Sequence, residues 1–330
     1  MWLSNLPVAG FYLWFAAKAR HLLFFSAANP AIQLSGAMGE SKYDILQRLP
    51  AEILPKMVFA PAGKVFDDVL ADLANTGISF PLIAKPDIGE RGLLVKKIGS
   101  RTELQVYLAQ YPVDFILQAL ITLPLEASVL YVLFPGAQGR FMITSVCTKV
   151  FLKVSGDGKS TLRQLIEANP RASFQLERLN TSRAADMGTI PSAGQTVVLG
   201  EIGNHCLGTK FLNSNHLINP RLEQSFAHIC RQIEGIHYGR FDLKCADEEA
   251  LQNGQIQVME LNGVLGEPAH VYDPSFGPWR AYRDFLRHWR LIFEVSQSNR
   301  KLGVPVTTLK EGRSQIQQYL AYKKRCLDIN

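Results

Sequence analysis

Gly239-Arg240-Phe241-Asp242-Leu243-Lys244 and Val258-Met259-Glu260-Leu261-Asn262-Gly263 both read as β-strands. Side chains at i and i+2 share one face of a strand. Arg240 therefore points with Asp242, and Glu260 with Asn262. Phe241, Leu243, Met259 and Leu261 alternate with them and suit a buried face. If the strands pair, a guanidinium, two carboxylates and an amide share one surface. Oxygen donors of this kind suit Mg²⁺, which takes few protein carboxylates and keeps positions for phosphate and water. The plain alternative is a solvated face with a structural Arg–Asp pair.

Working outward, Pro81-Leu82-Ile83-Ala84-Lys85-Pro86-Asp87-Ile88-Gly89-Glu90-Arg91-Gly92 carries a lysine from an apolar strand into a glycine-punctuated turn. Glycines let backbone N–H groups approach phosphate oxygens, and Lys85 adds a point charge. No Gly-Lys-Ser/Thr opens a helix here, so this is not a P-loop. Phe115-Ile116-Leu117-Gln118-Ala119-Leu120-Ile121, followed by Glu126, is an apolar strand running into a linker. It reads as a core strand, or as an edge offering backbone groups and Gln118 to an adenine, with Glu126 for ribose hydroxyls. Arg140 to Val154 reads as a strand on which Lys149 and Lys153 share a face. It enters the tight turn Gly156-Asp157-Gly158 before a helix start at Ser160/Thr161, where anions are favoured. Gly203-Asn204-His205-Cys206-Leu207-Gly208-Thr209-Lys210 is a polar loop suited to a substrate carboxylate or phosphate.

Between these stretches the pattern is ordinary. Lys64 to Asn75 has helical periodicity closed by Gly77. Leu93 to Ile98 reads as a strand, and Ser100-Arg101-Thr102-Glu103 as a capping box. Asn219 caps a helix from Pro220 to Glu234. Helices with aromatic faces follow from Pro278, and a last one runs from Lys310 to Lys324. Leu6 to Ala28 is apolar and aromatic, but Lys18, Arg20 and His21 interrupt it. It falls short of the roughly 18–20 apolar residues of a spanning helix. A buried helix followed by a short strand is expected there, with a membrane-surface or partner-binding helix as the alternative.

With 330 residues and 47% hydrophobic content, the chain has room for one large or two modest domains. The net charge of +6 is scattered, and the only dense basic run is Lys323-Lys324-Arg325. That favours small anionic ligands over nucleic acid. The cysteines, Cys147, Cys206, Cys230, Cys245 and Cys326, are far apart and form no Cys-x-x-Cys. No disulfide framework or zinc site is implied, and a reducing cytoplasm is expected.

Taken in order, strand lysine, glycine-rich turn, hinge strand, Gly-Asp-Gly turn, Arg-x-Asp and Glu-x-Asn, the chain resembles the ATP-grasp superfamily over about Pro55 to Pro274. The branch of D-alanine–D-alanine ligase and cyanophycin synthetase is the nearest in pattern. The resemblance implies an α+β fold in which two α+β subdomains clasp ATP. It divides the chain into an N-terminal segment 1–55, a small subdomain 56–121, a large subdomain 122–276 and a helical extension 277–330. Residue by residue, it places Lys85 on the nucleotide phosphates and Glu90, Arg91 and Gly92 in a mobile glycine-rich loop. Gln118, Ala119 and Ile121 match the adenine hinge, and Glu126 the ribose acid. Asp242, Glu260 and Asn262 match magnesium ligands. Arg240 and Lys149 match catalytic cations, and Asn204, Gly208 and Lys210 a substrate loop. The function implied is an ATP- and Mg²⁺-dependent ligase that joins a small carboxylate to an amine through an acyl phosphate. A phosphotransferase acting on a metabolite hydroxyl and a non-enzymatic nucleotide-binding scaffold are the rivals. A homo-oligomer is left open. Only about 55 residues precede the resemblance, with no Rossmann-like pattern, and Gln118 stands where Glu is frequent.

Overall fold

The computed structural model describes residues 2–90, 92–136, 139–200 and 208–328. Its strands are β1 (Met57–Ala60), β2 (Leu82–Pro86), β3 (Lys96–Ile98), β4 (Phe115–Ala119), β5 (Leu125–Leu133), β6 (Phe141–Val150), β7 (Lys153–Ser155), β8 (Thr196–Val198), β9 (Lys210–Asn213), β10 (Tyr238–Cys245) and β11 (Ile256–Asn262). Its helices are α1 (Trp2–Ala19), α2 (Lys42–Leu46), α3 (Phe66–Thr76), α4 (Arg101–Gln110), α5 (Leu162–Ala168), α6 (Leu176–Ser182), α7 (Pro220–Arg231), α8 (Glu248–Gln252), α9 (Pro278–Lys301) and α10 (Leu309–Asp328).

The fold is α+β. A four-stranded sheet runs in the order β1-β4-β2-β3, a five-stranded sheet β11-β10-β5-β6-β9, and β7 and β8 make a small ribbon. The neighbouring strands in both large sheets pair antiparallel. Both large sheets are antiparallel and backed by helices, in keeping with the expected α+β class.

The five-stranded sheet has two unlike faces. On one, Phe241, Leu243, Cys245 and Val129 are fully buried against α7. That helix starts at Asn219, whose side chain accepts from the Leu222 N–H at 3.0 Å, and it presents Leu222, Phe226, Ile229 and Cys230 to the sheet. Each such side chain contributes roughly 1.5–3 kcal/mol by leaving water. On the other face Leu130, Val132 and Tyr238 lie under α1 and α9. Two residues further along the same strands, the face turns polar. Register sets Arg240 opposite Leu130, Asp242 opposite Ser128, and Lys244 opposite Glu126. The helices thus cover the apolar end of this face and leave the polar end to the seam with the four-stranded sheet. The four-stranded sheet is backed by Val69 and Leu73 of α3, Leu104 and Tyr107 of α4, and Cys326 of α10.

Three expectations change. The N-terminal helix is followed by a 3-10 turn, Phe24–Ala27, and not by a strand. Side chains of α9 take up its carbonyls: Ser296 Oγ donates to Phe24 at 2.5 Å, and Asn299 Nδ2 to Ala27 at 2.8 Å and Ala28 at 3.0 Å. The Leu93–Ile98 strand shrinks to β3 because Gly92 (φ +77°) and Leu94 (φ +54°) turn left-handed. The strand expected over Arg140–Val154 breaks after Val150. β7 then pairs with β8, and the Leu152 carbonyl accepts from Leu199 N at 2.8 Å. Lys153 lies exposed on this ribbon and does not share a face with Lys149. Among the described residues, no helix is long and apolar enough to cross a membrane. α1 packs on α9 through Tyr12–Trp289 and Phe15–Phe293, with ring centroids 5.1 and 4.7 Å apart.

Candidate functional site

The β10–β11 register sets Arg240 opposite Asn262 and Asp242 opposite Glu260. Residues directly opposite on antiparallel strands share a face, so all four side chains lie on the seam side. One step later Leu243 faces Val258, which leaves Met259 as an extra residue, a β-bulge. Val258 is fully buried and takes the core place that simple alternation assigns to Met259, which is only half-buried. A bulge frees a backbone group from the ladder and re-aims it. Here the Met259 carbonyl accepts from Lys85 Nζ at 2.7 Å. Lys85 belongs to β2 of the other sheet, so this bond joins the two sheets.

Asp242 is the hub of the seam. Its Oδ1 accepts from Ser128 Oγ and faces Lys149 Nζ at 3.3 Å. Its Oδ2 accepts from Arg240 at 3.0 Å and from Asn262 Nδ2 at 2.9 Å. Burial pushes its pKa up, but Arg240, Lys149 and Ser128 outweigh burial and hold the carboxyl well below the usual range. Lys149 also reaches Glu126 at 3.0 Å, and Glu126 faces Lys244 at 3.9 Å. Burial pulls the pKa of Lys149 down, and Asp242 and Glu126 more than restore it. Arg240 also donates to the Glu267 carbonyl at 3.0 Å, while its Nε is buried without a partner.

Beside this hub, Lys85 is 7% exposed and shares its ammonium with Gln118 Oε1 at 3.3 Å. Burial lowers its pKa to about 8, despite Glu260. The Nε2 of Gln118 is buried without a partner. Glu260 is held by Lys42 Nζ at 2.9 Å. Burial raises the pKa of Glu260, and Lys42 and Lys85 outweigh it to bring the net value down.

The turn after β2 is tied from two sides. Asp87 Oδ1 caps α2, accepting from Ser41 Oγ at 3.0 Å and Tyr43 N at 2.8 Å. Lys42 Nζ donates to the Gly89 carbonyl. On the outer side Glu90 pairs with Lys323 of α10 at 2.5 Å. Gly92 completes the turn with its left-handed φ. Ala119 donates its N–H to the Lys56 carbonyl at 2.9 Å, and Ile121 lies partly buried just past β4.

Arg91 and Asn204 lie outside the described residues. Gly208 has φ +91°, and a Cβ there would meet Leu152 at 2.8 Å, so the backbone at this position requires glycine. Lys210 is exposed on β9, one strand beyond Lys149. Sequence reasoning passed over Lys42, Ser128 and Lys244. Lys42 follows a good helix cap, but nothing local tells that a lysine there is half-buried and reaches the seam. Ser128 is revealed only by the β5–β10 register.

Among the described residues, no three His, Cys, Asp or Glu side chains gather as a metal site. A cation here would rest on Asp242, Glu260 and the amide oxygen of Asn262. Hard oxygen donors from opposed register positions suit Mg²⁺, so the residues fit that ion. Two surface hollows lie elsewhere: one of about 360 Å³ lined by Lys96, Glu103 and Tyr107, and one of about 380 Å³ lined by Arg140, Arg287 and Glu294.

No family model matches the chain, and no curated protein matches it in sequence. Among solved structures it is similar to a D-alanine–D-alanine ligase from Bacillus anthracis, with 14% identity over 80% of this chain and 68% of that one and a TM-score of 0.44. It is similar to a bifunctional glutathione synthetase from Pasteurella multocida, with 14% identity over 75% and 35% and a TM-score of 0.39. A VanG D-Ala:D-Ser ligase from Enterococcus faecalis gives 10% identity over 77% and 61% and a TM-score of 0.44. The chain spans 35% of the synthetase and 61% of the VanG ligase.

Proposed function

We infer that this chain is an ATP-dependent ligase that joins a carboxylate to an amine through an acyl phosphate. The observation that carries this reading is the charge array around Asp242. Arg240, Lys149 and Asp242 alternate in sign on one sheet face, and Lys85 reaches that face from the other sheet. Phosphates laid along the seam would meet Lys85 and Lys149 as donors of charge-assisted hydrogen bonds. The free Nε2 of Gln118 and the backbone from Ala119 to Ile121 would face the base. Glu126 serves Lys149 as counter-ion and stands next in line for a ribose hydroxyl. Asp242, Glu260 and Asn262 would hold Mg²⁺, which neutralises charge on a transferring phosphoryl group when bound.

In the first step a substrate carboxylate oxygen bonds to the γ-phosphorus, and ADP leaves. In the second, an amine nitrogen bonds to the acyl carbon and phosphate leaves, with the surplus proton passing to solvent. Arg240 has an unpartnered N–H and a fixed planar fork beside Asp242, suited to the oxyanion of that second step. The turn carrying Gly89, Glu90 and Gly92 would shield the acyl phosphate from water. Gly208 and Lys210 would lie toward the acceptor. The test is a screen of carboxylate and amine pairs for ADP release. A ligase releases ADP and phosphate only when both substrates are present. Release without an amine, with a stable phosphoester as product, assigns the chain to phosphotransferases instead.

A further inference from the structure

Lys42 lies outside the set of residues the family resemblance assigns to the site, yet it sits at the centre of the seam. It starts the short helix α2, and its ammonium contacts Glu260 of β11 at 2.9 Å and the carbonyl of Gly89 in the glycine-rich turn. Its side chain is 14% exposed. Its backbone is pinned as well, since Lys42 N donates to the Asp87 carbonyl at 3.1 Å, and its neighbours Ser41 and Tyr43 hold the Asp87 carboxylate. A main-chain anchor of this kind aims the ammonium at a fixed point. Other charges face it too: Glu40, Asp87 and Glu260 as anions, with Lys85 the nearby cation. Glu40 has one buried oxygen without a partner.

A lysine and a divalent ion compete for the Glu260 carboxylate, which keeps 33% of its side chain exposed, because two cations a few ångströms apart repel each other. We propose that Lys42 is a built-in cation of the metal site, which a divalent ion must displace from Glu260, and whose displacement also frees the Gly89 turn. The proposal rests on the magnesium reading of Glu260 and goes beyond it by coupling metal arrival to loop release. Lys42 acts through Glu260 and Gly89, so it is a positioning residue.

The test uses Mn²⁺ alone, with the free ion followed by electron paramagnetic resonance on the full chain. Lys42→Met should bind Mn²⁺ about tenfold more tightly than the wild type, or better. Lys42→Arg keeps the charge and should stay near the wild-type affinity. Adding Glu260→Gln to Lys42→Met should abolish the gain. Unchanged or weaker Mn²⁺ binding by a folded Lys42→Met overturns the proposal. If that variant does not fold, hydrogen exchange on the wild type decides. Saturating Mn²⁺ should speed exchange at the amides of Gly89 and Glu90, and unchanged exchange there overturns the coupling. The ligase reading fails separately. A chain that passes these Mn²⁺ tests but binds no ATP in calorimetry keeps the Lys42 mechanism and loses the ligase assignment.

Discussion

Lys85 is the residue whose protonation matters most to the proposed activity. Its ordinary pKa is 10.5, and burial brings it to about 8. Below pH 8 the ammonium is present in the free protein; as pH rises through about 8 it is lost. Nucleotide affinity is therefore expected to fall above about pH 8, and binding at about pH 8.5 to take up protons. Calorimetry in buffers of different ionisation heat reads this uptake, and Lys85→Ala should show neither the slope nor the uptake. A flat profile in the wild type removes Lys85 from the phosphates. The sign for stability is opposite. A lysine with a folded pKa below its unfolded value penalises folding at low pH, and the penalty fades between about 8 and 10.5. For Arg240, replacement by Lys is expected to leave ATP binding intact and to lower turnover by about a hundredfold or more, since an ammonium lacks the planar fork. Single-turnover kinetics separate the two effects, and a Lys variant with full turnover would reduce Arg240 to a structural partner of Asp242. The Arg240, Asp242, Glu260 and Asn262 set was legible in the sequence because it needs only the period of a strand. Lys42 was not, because the contact joins positions 42 and 260, and no local pattern encodes such a meeting.

Among the connecting elements, the loop before α2 owes its shape to Asn29. This residue is fully buried. Its Oδ1 accepts from the N–H groups of His237 and Tyr238, and its Nδ2 donates to the carbonyls of Ser35 and Tyr238. Asn29→Ala would take this partner from the N–H groups of His237 and Tyr238 and from the Tyr238 carbonyl, while the Ser35 carbonyl keeps the Val264 N–H at 2.9 Å, and it is expected to lower stability by about 3 kcal/mol or more, read by urea unfolding. A loss under about 1 kcal/mol would mean that water replaces the amide. The tie between Glu90 and Lys323 should behave otherwise. Both side chains are well exposed, 46% and 37%, and such pairs are worth about 0–1 kcal/mol. Lys323→Ala is expected to leave the melting temperature almost unchanged while hydrogen exchange quickens at Glu90. Elements with strong local codes, such as α7 with its Asn219 cap and α4 with its Ser100 cap, matched their sequence reading within a few residues. The strand expected over Arg140–Val154 failed because residues on both sides of its break have good strand character. The choice between one long strand and two is made by distant Thr196–Val198, which claims β7 as its partner.

On the scale of the whole molecule, the terminal helices brace both sheets. α1 and α9 cover one end of the five-stranded sheet, and α10 sends Tyr322 and Cys326 into the core of the four-stranded one. Phe15, 2% exposed, lies among Phe11, Trp14, Phe24 and Phe293. Phe15→Ala is expected to lower stability by about 3–5 kcal/mol, with the loss visible in chemical denaturation. A loss under about 1 kcal/mol would mean that α1 contributes little to the brace. The apolar and aromatic content of both ends was plain in the sequence. Which sheet each end would cover was not, because amphipathic faces carry no address. The join between the sheets also divides mutational freedom unevenly. On one side stands the side chain of Lys85, which any substitution alters. On the other stands the Met259 carbonyl, which every amino acid carries. Drift at position 259 is therefore free to change the side chain, and Met259→Leu should be silent for clasp closure. Removing one residue from this strand should be ruinous, because it erases the bulge and turns the carbonyl back into the ladder. Among natural variants of this chain, position 259 should vary in chemistry and hold in length.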